Sequence, residues 1–256
     1  MNIFARWLVI STCIFGSGRA LAVDLIGHAT AEQFQNVVAQ VSGMVESPPL
    51  QIGEQVTQGQ SLLQIDDSDF ALDVRSAKAH LVLAKAELTI KNSAYTRYTA
   101  LLKKNSLSQH ELDIALAELQ TARANVHLAQ IDLEKAQDAL QHTRINADIS
   151  GYIVNRQIEQ GSWVEKGTLI YSVASIDQLI VRFLASEYDL HNIAIGQEIT
   201  LWCEALPGSK ITAKIKRIGI NLDENLMAYP VEVEIDNHNG AIKPGMSLHA
   251  TVQTKE

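Results

Sequence analysis

Two long segments of the chain carry apolar residues at alternating steps of three and four positions. This 3.5-residue period is typical of helices that coil around each other along one apolar seam. Because only residues 103–107 separate the segments, we expect an antiparallel hairpin. Its arms, about 35 residues each at about 1.5 Å per residue, would extend about 50 Å. The seam residues are Phe70, Val74, Ala77, Leu81, Ala84, Leu88, Lys91, Tyr95, Tyr98 and Leu102 in the first arm, and Leu112, Ala115, Leu119, Ala122, Val126, Ala129, Leu133, Ala136 and Leu140 in the second.

Residues with strong capping preferences mark the ends of both predicted helices. Asp67 or Ser68 is positioned to cap the first helix, and two lysines follow its negatively polarised C-terminal end. The second helix begins at a capping box, in which Ser108 accepts from the backbone and Glu111 reaches back to the backbone of Ser108. Lys91 is the only charged residue in the two seams.

Several apolar residues of the second arm lie away from the seam. They have two interpretations, which the sequence leaves open. Isolated apolar residues on a surface need no explanation. Alternatively, the arms of neighbouring copies pack side by side and bury them. These residues are Ile114, Leu116, Leu128 and Ile131.

A pattern of glycines and apolar residues occurs twice, once on each side of the hairpin, and every residue number of the second copy is 108 higher. Glycine is preferred where a chain turns with positive φ, so each copy predicts a set of short strands joined by tight turns. The two copies therefore predict the halves of one β unit, which the hairpin interrupts. The matched residues are Ser42, Gly43, Gly53, Val56 and Gly59 in the first copy and Ser150, Gly151, Gly161, Val164 and Gly167 in the second.

Longer alternating strands follow the second copy. Residues 179–184, 198–203, 211–218, 231–235 and 247–254 have this pattern, and residues 186–192 are typical of one helical turn. Closure of a barrel needs a further strand, which residues 32–38 could supply. We therefore predict a small β-barrel assembled from both ends of the chain.

The first residues have the features of an export signal. Arg6 precedes an apolar run at residues 7–15, and Ala20 and Ala22 form a small-residue cleavage site. The run is too short to cross a bilayer, which needs about 20 residues. We expect cleavage after Ala22 and an exported mature chain. Lipidation at Cys13 is the alternative, although Thr12 is a poor match to the small residue that usually precedes a lipidated cysteine.

Composition and motifs argue against catalysis. The formal net charge of −8 disfavours nucleic acid or an anionic bilayer as a partner. The phosphate loop, the nucleophile elbow and the zinc-binding His-Glu-x-x-His motif are all absent from the sequence. The eight histidines are scattered, and Cys203 is expected to be a small core residue. We predict no catalytic residue, no metal site and no cofactor.

The duplicated glycine segments resemble the two halves of a biotinyl/lipoyl domain, a flattened β-sandwich with internal two-fold symmetry. In carriers of that fold, a lysine lies on the hairpin that joins the halves. Here the joint, residues 65–68, contains no lysine and leads into the helical arms. The resemblance therefore implies the fold of a carrier domain but not its function.

The nesting of barrel, half-sandwich, helical hairpin, half-sandwich and barrel resembles the periplasmic adaptors, or membrane fusion proteins (HlyD-like), of tripartite efflux systems. Adaptors of resistance-nodulation-division (RND) exporters carry an R-x3-L-x6-S motif at the hairpin tip, and here it reads Arg97, Leu101 and Ser108. Pro244 to Met246 resembles the family's Pro-Gly-Met turn. By resemblance, the tip meets a TolC-type outer-membrane channel. Arg97 and Ser108 then hydrogen-bond to the channel's backbone, and Leu101 adds an apolar contact.

The predicted architecture is an elongated α+β fold with a β-barrel and a split lipoyl-like sandwich, into which an antiparallel coiled-coil hairpin is inserted. We assign residues 1–22 to a signal peptide and residues 67–143 to the hairpin. Residues 38–66 and 144–176 form the two halves of the sandwich, and residues 23–37 and 177–256 the barrel.

The resemblance implies a periplasmic adaptor, soluble or peripherally attached to the inner membrane. Its expected partners are an inner-membrane exporter, a TolC-type channel and other copies in a ring, a trimer or a hexamer. Many adaptors add a membrane-proximal domain for which we find no sequence here, which leaves the class of exporter open. An adaptor for an ABC-type exporter and a periplasmic scaffold without a channel partner are the alternatives.

Overall fold

The computed structural model describes residues 22–223 and 226–253, which divide into two units. Glu32–Ile176 forms one unit, and the two flanking parts of the chain form the other. The elements in chain order are β1 (Ala22–Ala31), β2 (Phe34–Val38), β3 (Gly43–Met44), β4 (Gln55–Val56), β5 (Ser61–Gln64), α1 (Ser68–Leu102), α2 (Gln109–Gln141), β6 (Arg144–Asn146), β7 (Gly151–Arg156), β8 (Trp163–Val164), β9 (Leu169–Ala174), β10 (Gln178–Ala185), a 3-10 turn (Asp189–Asn192), β11 (Glu198–Trp202), β12 (Lys210–Ile218), β13 (Tyr229–Asp236) and β14 (Ser247–Gln253).

The two helices form the predicted hairpin. Helices α1 and α2 have 35 and 33 residues and pack against each other. Every fully buried residue of the two helices belongs to the predicted seam, so the helices bury their apolar stripes in one another and not against a sheet. These buried residues are Leu81, Ala115, Leu119, Ala122 and Leu133.

The charged seam residue of α1 has a partner on the opposite helix. The Nζ atom of Lys91 lies 3.1 Å from Oε2 of Glu118, and both side chains stay partly exposed. An ion pair at one position of an apolar seam favours the register that makes it over registers that would leave the lysine unpaired. Lys91 and Glu118 therefore mark which turns of α1 and α2 lie side by side.

The duplicated segments pair with each other into one sandwich. Gly43 pairs with Val164 and Val56 pairs with Gly151, so the first glycine of each copy lies opposite the valine of the other copy. The turn glycines follow the same symmetry. The N–H of Gly59 donates to the carbonyl of Ala147 at 2.7 Å, and the N–H of Gly167 donates to the carbonyl of Ala39 at 2.7 Å. Gly59 and Gly167 adopt φ values of 82° and 93°, a region that favours glycine.

The core of the sandwich receives residues from both copies. Strands β2, β9, β7 and β4 form one sheet, and the pairs β3–β8 and β5–β6 complete the body. Tyr171 is completely buried, and its hydroxyl accepts a hydrogen bond of 2.9 Å from the N–H of Leu50. Burial raises the pKa of the Tyr171 hydroxyl. Other core residues are Val37, Val45, Val56, Leu63, Ile65, Ile153, Val164, Ile170 and Val173.

The second unit is a closed six-stranded barrel in the order β1-β10-β13-β12-β11-β14. All five strands predicted after the second glycine copy are present. Alternate residues of each strand face the interior, where Phe183, Val233 and Leu248 are fully buried. On the outer surface, Glu232 accepts hydrogen bonds from Arg182 at 2.9 Å and Arg217 at 2.8 Å.

The sixth strand of the barrel is not the one that we predicted. Residues 32–38 do not enter the barrel, because β2 pairs with β9 in the sandwich and Val37 is buried in the sandwich core. The barrel is closed instead by β1, which pairs with both β10 and β14. Residues 32–37, assigned to the barrel above, therefore belong to the sandwich unit. The predicted export signal lies outside the described residues, apart from Ala22.

The start of α1 also differs from the prediction. Neither Asp67 nor Ser68 caps the helix with its side chain. The carboxylate of Asp66 does so, because it accepts from the N–H of Ser68 at 3.0 Å and from the hydroxyl of Ser68 at 2.7 Å. These two hydrogen bonds lower the pKa of Asp66. The hairpin therefore begins at a carboxylate one residue closer to the sandwich than expected.

Candidate functional site at the hairpin tip

The chain leaves α1 through a compact turn that the hydrophobic pattern does not predict. Asn105 adopts a φ of 56°, the left-handed conformation that ends many helices. The N–H of Asn105 donates to the carbonyl of Leu102 at 2.9 Å, and the N–H of Ser106 donates to that of Leu101 at 3.0 Å. This pair of hydrogen bonds is a Schellman motif, which satisfies the last carbonyls of α1. The signal in the sequence was an asparagine three residues after the last seam residue.

Helix α2 begins with the predicted capping box, which is confirmed. The backbone N–H of Ser108 donates to Oε2 of Glu111 at 3.0 Å, and the N–H of Glu111 donates to Oγ of Ser108 at 3.3 Å. The Ser108 hydroxyl also donates to Oε2 of Glu111 at 2.8 Å. The oxygen of Ser108 thus keeps capacity to accept from a partner, while its proton is already used.

Arg97 lies on the outer surface of α1, two turns before the tip. Its side chain is exposed, and its guanidinium carbon lies 5.9 Å from the centroid of the Tyr98 ring. Within the described part of the chain, the guanidinium makes no hydrogen bond or ion pair. This distance is at the limit of a cation–π contact, which uses none of the N–H donors of the guanidinium. Arg97 is therefore available to bind carbonyl or carboxylate oxygens of a partner.

Leu101 lies one helical turn after Arg97, so the two side chains share a face of α1. Leu101 is half-buried, and its backbone carbonyl is held in the Schellman motif. The structure places Arg97 and Leu101 on the last turns of α1 and Ser108 at the start of α2. Among the described residues, these three side chains make no hydrogen bonds to one another. The tip thus offers donors, an acceptor and an apolar group on a backbone that two capping motifs fix.

Replacing Ser108 with alanine is expected to destabilise the protein by about 1 kcal/mol, as for other N-cap serines. The hydrogen bonds from Ser108 lower the pKa of the Glu111 carboxyl. The stability contributed by that carboxylate is therefore fully present above pH 4.5 or so and lost as the pH falls through the lowered pKa. Urea denaturation of the wild type and of Ser108→Ala at pH 7 and pH 3 tests this. The difference in the free energy of unfolding between the two proteins should be smaller at pH 3. A Ser106→Ala control should match the wild type, and a constant difference would contradict the role given to Glu111.

Other chemistry is not visible in the residues that the structure describes. They contain no cluster of histidine, cysteine, aspartate or glutamate that could hold a metal ion. Cys203 is buried directly after β11. None of the described helices combines the length and apolar character that a membrane crossing requires.

Comparisons with known proteins agree with the architecture. Residues 33–175 match the family described as CzcB-like, barrel-sandwich hybrid domain, and residues 181–256 match the CusB-like, beta-barrel domain. The first match covers more than half of the chain and the second covers most of the remainder. The predicted α+β architecture with a split sandwich, an inserted hairpin and a barrel is therefore confirmed.

Two curated relatives and one solved structure illustrate the similarity. Multidrug efflux pump subunit AcrA of Escherichia coli (strain K12) is 32% identical over 181 residues, which cover 70% of this chain and 45% of AcrA. Nodulation protein NolF of Rhizobium meliloti (strain 1021) is 25% identical over 224 residues, which cover 88% of this chain and 61% of NolF. The chain thus spans less than two thirds of the length of either relative.

The crystal structure of MacA from Actinobacillus actinomycetemcomitans has the same fold. It superposes with a TM-score of 0.79 at 22% identity, and the match covers 91% of this chain and 78% of MacA. At that identity the likeness concerns the fold alone. The chain therefore belongs to the family of RND-type periplasmic adaptors, or membrane fusion proteins.

Proposed function

We propose that the protein is a non-catalytic adaptor that links an inner-membrane exporter to a TolC-type outer-membrane channel in the periplasm. The observation that carries the proposal is the construction of the tip. Leu101 and Ser108 belong to the Schellman motif and the capping box that make the turn between the two long helices rigid, and Arg97 lies one helical turn before Leu101. A rigid turn loses little conformational entropy when it binds a partner.

The chemistry of the tip suits a backbone-rich partner. The guanidinium of Arg97 carries five N–H donors and can bind two oxygens at once. Ser108 accepts a hydrogen bond, and Leu101 contributes apolar area beside it. Carbonyl and N–H groups at a helix turn of a channel protein are suitable partners for this set. The tip would then bind the channel end to end.

Energy for export has to come from the exporter in this proposal. We favour an RND-type exporter, which is driven by proton flux, because the tip carries all three residues of the motif found in adaptors of that class. An ABC-type exporter is the alternative. Copies of the chain would form a ring, a trimer or a hexamer, so that the hairpins enclose a conduit that ends at the channel.

The test is site-directed cross-linking in cells. Cysteines at Arg97 and at Ser108, introduced one at a time, are expected to form a disulfide or a short bifunctional cross-link with an outer-membrane protein. Gln141→Cys is a matched control, because Gln141 is exposed at the other end of α2 and should give no such product. The product is to be identified by mass spectrometry.

Two outcomes separate the candidate functions. A cross-linked outer-membrane channel supports the adaptor. If the folded cysteine variants reach the periplasm and yield no outer-membrane product, a scaffold without a channel partner becomes the better explanation. Co-purification from the inner membrane then distinguishes exporters, since an ABC-type partner would bring an ATPase with it.

A further inference from the structure

The sides of the hairpin differ in charge. Between the base and the Lys91–Glu118 pair, the positions that flank the seam on one side are mainly acidic, and those on the other side are mainly basic. We call the first the acidic face and the second the basic face. The acidic face carries Asp73, Glu87, Glu118 and Asp132, and the basic face carries Arg75, Lys78, Lys85 and Arg123.

Few of these charges are neutralised within the chain. On the acidic face, Glu118 binds Lys91, and Asp132 lies 3.7 Å from the nearby Lys135. Asp73 and Glu87 form no ion pair with any described residue, and the four basic-face cations form none either. Over this described stretch of the hairpin, the basic face also carries one acidic residue, Glu134. The hairpin therefore has an excess of negative charge on one side and of positive charge on the other.

Exposed apolar residues accompany the charges on both faces. On the acidic face, Leu83 and Leu128 are 68% and 59% exposed and border a groove of about 710 Å³. Alanines of both helices, among them Ala84 and Ala129, form its floor, and Asp73, Glu87 and Asp132 line its edges. On the basic face, Val82 is 62% exposed. Neither helix of the same hairpin covers these side chains.

The two faces carry matching features in the same order along the hairpin. Because Lys91 contacts Glu118 and the helices are antiparallel, residues of α2 can be placed beside turns of α1. From base to tip, the acidic face presents Asp73, Asp132, the pair Leu83 and Leu128, and Glu87. At the corresponding heights, the basic face presents Arg75, Lys78, Val82, and the pair Lys85 and Arg123. From Lys78 to Glu87, opposite charges and apolar groups therefore lie at matching heights, and the exceptions, Lys135 on the acidic face and Glu134 on the basic face, lie nearer the base.

We propose that the acidic face of one hairpin binds the basic face of a second copy of this chain. This inference rests on the ring included in the proposed function and specifies which surfaces meet in it. Such contacts are heterologous, and they generate a ring when the rotation between copies closes. The apolar pair Leu83 and Leu128 would bury against Val82 of the next copy, and the charged residues would form ion pairs on both sides of it.

The order of the charges favours a copy of the chain over an unrelated occupant. A small molecule or an unrelated protein has no reason to reproduce the sequence of charged and apolar positions of the opposite face. A contact between two acidic faces would place Asp73, Glu87 and Asp132 against like charges, which is unfavourable. A symmetric dimer through the groove is therefore disfavoured, whereas an acidic face against a basic face places Asp132 beside Lys78 and Glu87 beside Lys85 and Arg123.

Disulfide trapping of the full mature chain tests which faces meet. The variant V82C/L128C carries one cysteine on each face, and the two are too far apart in one hairpin for a disulfide, which needs Cα atoms about 4.4–6.8 Å apart. Mild oxidation is expected to give a ladder of dimers, trimers and larger species on a denaturing gel. Each single variant should remain monomeric on the gel.

The control pair places both cysteines on the same face. The variant I90C/L128C should give no ladder, because Ile90 and Leu128 lie on the acidic side of the hairpin. Dimers from L128C alone would overturn the proposal in favour of like faces in contact. Absence of a ladder from V82C/L128C, with helical circular dichroism intact, would also overturn it.

Charge exchange provides a second, independent measurement. Lys78→Glu together with Lys85→Glu is expected to weaken self-association about tenfold, measured by sedimentation velocity, since these lysines lie opposite Asp132 and Glu87 and each exposed ion pair contributes modestly. Adding Glu87→Lys and Asp132→Lys should restore the association with exchanged signs. Asp138→Lys is the control for altered charge, because Asp138 is exposed on the outer edge and its side chain has no described partner. No rescue by the fourfold variant would contradict the pairing.

The outcomes separate this inference from the proposed function. A ladder without a cross-link from Arg97→Cys to a channel would retain the interface and reject the adaptor. A cross-link to a channel without a ladder would retain the adaptor and reject this pair of faces.

Discussion

Replacing Gly151 with alanine is expected to destabilise the sandwich by about 3 kcal/mol, near the upper end for an overpacked site. Gly151 begins β7 beside the end of β9, and a Cβ atom on it would lie 2.6 Å from the carbonyl carbon of Ala174. That atom belongs to the backbone of a neighbouring strand, so relief requires the strands to separate. Chemical denaturation, monitored by the fluorescence of the tryptophans, measures the change.

The duplication supplies a matched control. Gly43 is the counterpart of Gly151 in the first copy, and neither has a positive φ. A Cβ atom on Gly43 would meet Cγ2 of Ile65 at 2.5 Å, a side-chain methyl group that can shift without separating two paired strands. Gly43→Ala should therefore cost clearly less than Gly151→Ala. Equal costs at the two sites would mean that the close approach of β7 to β9 is not the reason for the glycine.

Replacing Arg97 with glutamate is expected to reduce export of toxic compounds at least about tenfold, provided that the proposed function is correct. Reversal of the charge removes charge-assisted hydrogen bonds to the channel, worth about 1.5–3 kcal/mol each, and about 1.4 kcal/mol corresponds to a factor of ten in affinity. Because copies in a ring each carry the change, the losses accumulate. The readout is the minimal inhibitory concentration of exported compounds in a strain that lacks the chromosomal gene.

Two further variants make the result interpretable. Arg144→Glu imposes the same charge change on an exposed residue of β6, away from the tip, and should leave export unchanged. Arg97→Lys keeps the charge but loses the planar group, and it should have an intermediate effect. Wild-type export by Arg97→Glu, with normal amounts of folded protein, would remove the main support for contact between the tip and a channel.

The helical hairpin was predictable because its signals are local and repeated. Every buried residue of α1 and α2 lies in the seam that the 3.5-residue period indicates. Ser108 and Glu111 form the capping box that their spacing predicts. The partner of Lys91 could not be read from the period, since it depends on the register between the two helices, and the structure alone identifies Glu118.

The barrel shows where sequence reasoning was insufficient. Strand β1 was missed because its inward positions beyond Leu25 are Gly27 and Ala29, which carry too little apolar area to produce a visible alternation. Residue 27 has to be a glycine because of a strand that is distant in sequence: a Cβ atom on Gly27 would lie 2.7 Å from Cδ1 of Phe183 in β10. Residues 32–38 alternate more clearly, but that pattern suits any sheet and does not say which one.

At the tip, the sequence indicated the three motif residues, but the geometry of the turn came from the structure. The role of Asn105 depends on a backbone conformation that asparagine adopts only in some contexts. The proposed contact between the tip and a channel remains a prediction, because it involves a second protein.

The hairpin enters and leaves the sandwich through two adjacent paired strands, β5 and β6. Removal or addition of seven residues in each arm, at the same distance from the sandwich, would keep the seam continuous and leave the pairing of β5 with β6 unchanged. The length of the hairpin would change by about 10 Å. Under the proposed function, the length of the hairpin can therefore change in steps of two helical turns per arm, which would let such a protein bridge cell envelopes of different depth.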